Sequence, residues 1–514
     1  MSSSILSAAV QQLAPCAWYI VAGALLAFVA TRVVYRRFFH PLAKIPGPFL
    51  ASVTTLYQAA YNAQYYKKIE QLHQIYGPVV RINPNEVHLS DPENYDKIYY
   101  MGTRFGKAPE FYGSFCIPHA TFSTPSNEVH KGRRAALNPM FSRKMVLELE
   151  SIVQDKADKL CKLMAKGLRE TKPVDLHHAF RCVSVDVISD YAFDKSYNLM
   201  DQPDLGAHFF VMARGIGPAM YTFQSLRWLQ PLALKIPPWL APKLSKPLGT
   251  VFALQMEGVN QIEDVRSRME AGKLDTEARP TIFTELLKPE NYPGRPVPST
   301  MELKDECYSI LVAAADTTGN AMTTAAYHIM ANRDIYDKLR AELFSAFPDP
   351  HATLDFLTLE RLPYLTGVIK EALRLSFGVI GRLPRVTPEP GVHFNGYYIP
   401  PGTTIGMSSW LMHRNPEVFP DPMKFSPERW LDPADFRRLE KHIVPFGRGS
   451  RQCVGMPLAY CELYVTLGTF FHRFAGLEVF KTTPHDLEYE DFFSSYHLAG
   501  RNWLRAVGPV LEKV

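Results

Sequence analysis

The chain has 514 residues, 46% of them hydrophobic and 21% charged, proportions of a folded globular protein that exclude a disordered or fibrous one. Its 56 Lys and Arg against 51 Asp and Glu leave a formal charge of +5, too small and too dispersed to point to nucleic acid. Seven scattered cysteines without a CxxC pair exclude a disulfide framework and a zinc site and suit a reducing compartment.

From Leu13 to Ala30 the chain reads LAPCAWYIVAGALLAFVA without a charge, and Arg32, Arg36 and Arg37 follow. Eighteen apolar residues are near the lower limit for crossing a bilayer core, and the run extends to Val34 if Arg32 snorkels. A cleaved signal peptide is the alternative, with Ala22, Gly23 and Ala24 as the small-residue site. No Lys or Arg precedes the run, however, so the positive-inside rule places the N-terminus in the lumen and the remainder in the cytosol. Residues 1–38 are therefore expected to be a single-pass anchor and residues 39–514 one domain. The connection HPLAKIPGPFL, with Pro41, Pro46, Gly47 and Pro48, cannot continue a helix and reads as a stiff hinge.

Strands are expected at Val79 to Asn83 and Glu86 to Ser90, and a hairpin turns at Asn395 and Gly396. Apolar residues recurring at three and four predict helices from Lys144 to Gly167, from Asp305 to Phe347 with a break inside, from Pro363 to Ser376 and from Pro457 to Phe474. The fold class is mostly α with a minor β-sheet region.

Near the end lies PFGRGSRQCVGMPLAYCELY, from Pro445 to Tyr464. Gly447, Gly449 and Gly455 let the backbone turn sharply or approach a flat ligand, and Pro457 suits a first helical turn. Cys453, just before that helix start and near Arg448 and Arg451, is expected to have a lowered pKa and to form the thiolate a metal needs. Cys461, inside the helix, reads as a small buried hydrophobe.

The run from Phe446 to Gly455 resembles the haem-binding loop of the cytochrome P-450 family, which Phe446, Gly449, Arg451, Cys453 and Gly455 match in full. The resemblance extends from the hinge to the C-terminus. It implies that fold, haem b as cofactor and Cys453 as the axial ligand of its iron. In EALR, Glu371 and Arg374 share a helix face; with Arg429 of FSPERW they match the family's structural Glu, Arg, Arg network. In LVAAADTTGN, from Leu311 to Asn320, Asp316 and Thr317 resemble the acid and alcohol that relay protons during oxygen activation; Ala314 stands where the family commonly has Gly. In VHKGRRAALNPMFS, His130 takes the position of the family's Trp and Arg134 that of its Arg. These two, with Arg385 and Arg451, resemble the partners of the haem propionates.

The implied activity is that of a haem-thiolate monooxygenase, which inserts one oxygen atom from dioxygen into a hydrophobic molecule by hydroxylation or epoxidation. A haem-thiolate isomerase or dehydratase and a non-catalytic haem sensor are the alternatives; the isomerase relatives commonly lack the acid and alcohol pair. No flavin or nicotinamide fingerprint is present, so electrons are expected from NADPH through a separate cytochrome P-450 reductase, docked on a basic face that includes Lys131, Arg133, Arg143 and Lys144. By resemblance the pocket is lined from Phe105 to Phe122, Phe209 to Phe223, Ile310 to Ala315, Gly378 to Arg382 and Phe492 to Tyr496. The anchor and hinge look most like fungal microsomal members, trichodiene-oxygenase-like enzymes of the endoplasmic reticulum membrane that oxidise terpenoid or polyketide intermediates of secondary metabolism.

Overall fold

The first helix runs from Ser2 to Val34 and ends in a wider turn over Tyr35–Phe39. Within it Trp18–Phe39 is long and apolar enough to cross a membrane, and none of it is buried against the body. The computed structural model describes residues 2–237, 239–272, 279–294, 296–498 and 500–509, with side chains of the first helix from Trp18 onward.

The hinge is stitched to the body rather than free. The backbone N–H of Arg81 donates to Pro46 O at 2.7 Å, and a Cβ on Gly47 would stand 2.4 Å from Arg81 O, so only glycine lets the two backbones meet. The Arg81 guanidinium then donates to Arg36 O at 3.0 Å and to Pro84 O at 2.7 Å, which ties the foot of the anchor to the first strand.

Val79–Asn83 and Glu86–Leu89 form strands where the alternation places them, and they open a five-stranded sheet that continues with Thr404–Gly406, Arg385–Val386 and Gly106–Lys107. Glu86–Leu89 and Thr404–Gly406 run parallel; the other neighbours are antiparallel. The last pairing sets Lys107 directly opposite Arg385. The hairpin expected at Asn395 and Gly396 forms between Val392–Phe394 and Tyr397–Ile399, with both turn residues at positive φ, 47° and 84°, as a tight turn of this hand requires.

The helix Pro363–Ser376 has the bounds its periodicity predicts. The expected helix from Lys144 is two, Arg143–Glu148 and Glu150–Arg169. The expected helix from Asp305 begins earlier, at Thr300, because Ser299 and Glu302 form a capping box; it ends at Ala331, and Asn332 caps the next helix, Arg333–Ala346. This central helix crosses Leu176–Phe193 closely, since a Cβ on Gly319 would lie 2.6 Å from the Arg181 side chain. The cysteine helix spans Met456–Arg473 and buries Cys461 completely. The result is a mostly helical body with small sheets.

Candidate functional site

The loop before the cysteine helix folds around its glycines. Gly449 has φ +71°, and a Cβ there would stand 2.3 Å from the backbone of Tyr100. The N–H of Cys453 donates to Phe446 O at 2.9 Å, which closes the loop, and the Phe446 ring rests on Tyr460 at 5.3 Å. The loop is also held from behind. Glu371 and Arg374 are fully buried and pair through both carboxylate oxygens at 2.8 and 2.7 Å. Arg374 donates to His413 O, and His413 Nε2 accepts from the N–H of Val444, the residue before Pro445. Glu371 further accepts from Ser426 N and from the indole of Trp430. Arg429 stands 3.7 Å from Glu371 and bonds to Asp421 O. Trp430, which sequence reasoning passed over, is thus a closer partner of Glu371 than Arg429 is.

Cys453 is exposed, whereas the other described cysteines are buried or half-buried. Burial nevertheless pushes its thiol pKa up, against the backbone amides of Gly455 and Met456 and the charges of Arg134 and Lys107. An accessible sulfur that still feels burial faces an internal space. The expected lowering of its pKa is therefore corrected: the helix-start amides act in the expected direction, but desolvation outweighs them in the protein alone. The cations also differ from the expected ones. Arg448 pairs with Asp96 at 2.8 Å, and Arg451 spends its guanidinium on Thr124 O, Pro125 O and Asn127 at 2.8–3.1 Å.

Around this space the chain assembles Lys107, His130, Arg134, Arg385 and Arg451. Arg134 donates to Gln452 O, beside Cys453. Burial, then Arg385, Arg451 and Arg134, push Lys107 well below its usual range. Burial and the same group of cations hold His130 down to about 3, hence neutral. Arg385 bonds to the Tyr112 hydroxyl at 2.9 Å, but its Nε is buried without a partner. Lys107 was missed in the sequence; a two-residue strand around a single lysine carries no motif, and only its pairing opposite Arg385 reveals it.

The central helix carries the next group of expected site residues. Along it Ser309, Ile310, Ala313, Ala314 and Thr317 keep accessible surface while Leu311, Ala315, Asp316 and Thr318 are buried, a stripe at helical spacing. The Thr317 hydroxyl donates to Ala313 O at 2.9 Å. Asp316 lies off this stripe. Arg181 and Arg214 grip it at 2.6–3.0 Å, and although burial alone would raise it, they hold its carboxyl well below the usual carboxylate range. Neither arginine was singled out by sequence, since each lies on another helix more than a hundred residues away.

Of the expected pocket segments, Phe111, Phe122, Gly378, Val379, Phe492 and Phe493 keep accessible surface, whereas Phe209 and Phe210 are buried and Arg382 turns away to pair with Glu86. Asp305 and Glu306 of the central helix accept from the backbone of His119 and Thr121, pinning the loop that carries Phe122. Of the expected basic docking face, Lys131 and Lys144 are exposed, Arg143 is paired with Glu360, and Arg133 is folded onto Pro118 O and Thr124.

Among the described residues no group of three or more His, Cys, Asp or Glu side chains is placed to hold a metal ion, so a metal bound by Cys453 must bring its other ligands with it. Five cationic or hydrogen-bonding side chains, none paired with a carboxylate among the described residues, suit a dianion. The residues fit haem.

The cytochrome P450 family profile matches residues 45–494. The chain is 34% identical over 484 residues to cytochrome P450 monooxygenase macH of Penicillium terrestre, spanning 92% of this chain and 94% of that one. It is 36% identical over 479 residues to cytochrome P450 monooxygenase tpcC of Cochliobolus heterostrophus, spanning 88% and 90%. To N-acetyltryptophan 6-hydroxylase ivoC of Emericella nidulans it is 34% identical over 491 residues, spanning 93% and 94%.

Proposed function

The chain belongs to the cytochrome P450 family and is a monooxygenase of it, and from that premise we propose that the Cys453 thiolate would hold haem b and that Asp316 and Thr317 would deliver protons to the reaction there. The observation that carries this reading is the accessible Cys453 with Arg134 and Lys107 acting on it, in a group of cations that bond to carbonyls, amides and a hydroxyl but to no carboxylate among the described residues. Thiolate-ligated haem, when bound, supplies the cleavage of dioxygen that leaves one oxygen atom for the substrate and one for water.

The protein's own part is division of labour. His130, Arg134, Arg385, Arg451 and Lys107 hold the propionates; Glu371, Arg374, Arg429 and Trp430 keep the cysteine loop in place. Thr317, whose hydroxyl donates to Ala313 O at 2.9 Å, keeps its oxygen free to accept a proton and pass one on. Asp316, ionised between two arginines, exchanges one of them for a proton from outside; Arg214 is the more exposed partner and the one that swings. Electrons come from NADPH through cytochrome P-450 reductase, docked on the cysteine-loop side.

The substrate is a hydrophobic intermediate of fungal secondary metabolism, a terpenoid or polyketide by the sequence expectation, and it is hydroxylated. Relatives whose names record tryptophan and N-acetyltryptophan 6-hydroxylation extend the range to aromatic compounds. The location is the endoplasmic reticulum membrane, with the anchor crossing once and the body in the cytosol. Supporting it, Trp228, Leu232, Leu234 and Trp239 expose a further apolar patch, and neighbouring Arg227 lies close enough to Arg36 to repel it. An apolar patch beside an anchor rests on the bilayer surface.

The test is the absorption spectrum of the reduced, CO-bound protein in wild type and Cys453→Ser, followed by turnover with NADPH and reductase. A red-shifted thiolate band lost in the variant, and products heavier by one oxygen, are expected. A band that survives the substitution refutes the ligand assignment.

A further inference from the structure

Beside the cations of the site, aromatic rings from separate segments meet. Phe115, Phe122 and Phe493 form a triangle with centroids 5.1–5.2 Å apart and planes crossing at 71–87°. Tyr112 meets Phe122 at 5.6 Å and Phe111 meets Phe493 at 6.3 Å. Lys107 links the cluster to the site: its Nζ, one of the cations that act on Cys453, stands 4.2 Å from the Phe122 ring centre and 4.3 Å from that of Tyr112. Phe115 is buried, whereas Phe111, Phe122 and Phe493 keep accessible surface.

Two features show that these rings are held in position. Phe493 sits at the tip of the hairpin Tyr489–Phe492 and Ser494–His497 with φ +74°, a backbone state that a bulky side chain adopts only under constraint. Its N–H donates to Asp491 Oδ1 at 3.0 Å, which fixes the ring toward Phe115 and Phe122. The loop bearing Phe122 is pinned by Asp305 and Glu306 through His119 and Thr121. A constrained backbone held in a rigid surround motivates a functional reading of the ring it carries.

Perpendicular rings offer edges and faces together, the positive and negative parts of the aromatic quadrupole. A planar aromatic guest completes both kinds of contact. A saturated ring of the same carbon skeleton gains only contact area. We infer that the Phe115, Phe122 and Phe493 triangle makes this monooxygenase selective for a fused or linked aromatic ring system over its saturated counterpart. The inference rests on the haem site proposed above and narrows its substrate class.

The experiment uses the full-length holoenzyme without reductase and titrates 2-naphthamide against trans-decahydro-2-naphthamide, reading the change in the haem absorption band on binding. Two new ring pairs are together worth about a factor of ten in affinity, so wild type binds the aromatic probe about tenfold more tightly although the saturated one is the more hydrophobic. Phe122→Leu and Phe493→Leu, each checked for an unchanged CO-bound spectrum, bring the ratio to about one or below. Equal or tighter binding of the saturated probe by wild type overturns the inference. A ratio untouched by both substitutions overturns it also, as does silence of the aromatic probe on a protein with an intact thiolate spectrum. Failure of the haem assignment shows instead as loss of that spectrum, before any probe is added.

Discussion

Two clusters of buried arginines serve the cysteine loop, and they are built on opposite principles. Around Glu371 the charges are compensated: the carboxylate meets Arg374 through both oxygens, Arg374 goes on to backbone carbonyls, and Trp430 fills a further acceptor position. Around Lys107 and Arg385, among the described residues, no carboxylate is in contact and Arg385 Nε has no partner; burial, then the neighbouring arginines, depress Lys107 and Arg451. A buried charge is tolerated when paired. The first cluster is therefore complete within the chain, and the second is complete only with an anion.

That contrast breaks first at Arg374. Arg374→Ala leaves Glu371 buried and uncompensated, a loss of about 3–5 kcal/mol, and the expected outcome is little folded protein, measured by soluble yield and thermal unfolding with haem supplied. At Asp316 a third cluster, one acid between two arginines, tests whether a compensated charge also works in turnover. Asp316→Asn is expected to lower kcat roughly a hundredfold while the CO-bound spectrum stays intact; unchanged turnover removes Asp316 from the proton route. In the second cluster the effect falls on the ligand. Arg385→Ala is expected to speed haem transfer to apomyoglobin roughly tenfold, while the haem-free chain, in which Arg385 bonds to Tyr112 and to the carbonyls of Leu383 and Pro384, loses far less resistance to urea than Arg374→Ala costs. Equal losses in the two variants equate the two clusters.

The smallest effect concerns a pair without any permanent charge. His73 Nε2 and His88 Nδ1 meet at 2.8 Å, and burial brings the His73 pKa from 6.5 down to about 4. Between those values the unfolded chain binds the proton and the folded one does not, so this contribution to stability is full above about pH 6.5 and is lost as the pH falls to about 4. His73→Gln is expected to flatten the fall in denaturation midpoint over that window.

What could be read in advance follows from the range of the interactions. Pro363–Ser376 was legible because periodicity and a proline at its start act within one helix, and Asn395 with Gly396 because a tight turn is decided by two residues. The cysteine loop was legible as a dense local pattern. Lys107, Arg181, Arg214 and Trp430 were not, because each acquires meaning only from a partner brought in from another element. The start of the central helix shows the intermediate case: Ser299 and Glu302 form a readable capping box, but the apolar periodicity begins later and drew the boundary to Asp305. The Cys453 pKa was misjudged because sequence displays the amides and charges near the sulfur and hides its burial.

The loop carrying Phe122 is bolted at both ends, to Asp305 and Glu306 on one side and through Thr124, Pro125 and Asn127 to Arg451 on the other. Rings carried on a roof fastened this way are set before any guest arrives, so little ordering cost remains to be met on binding.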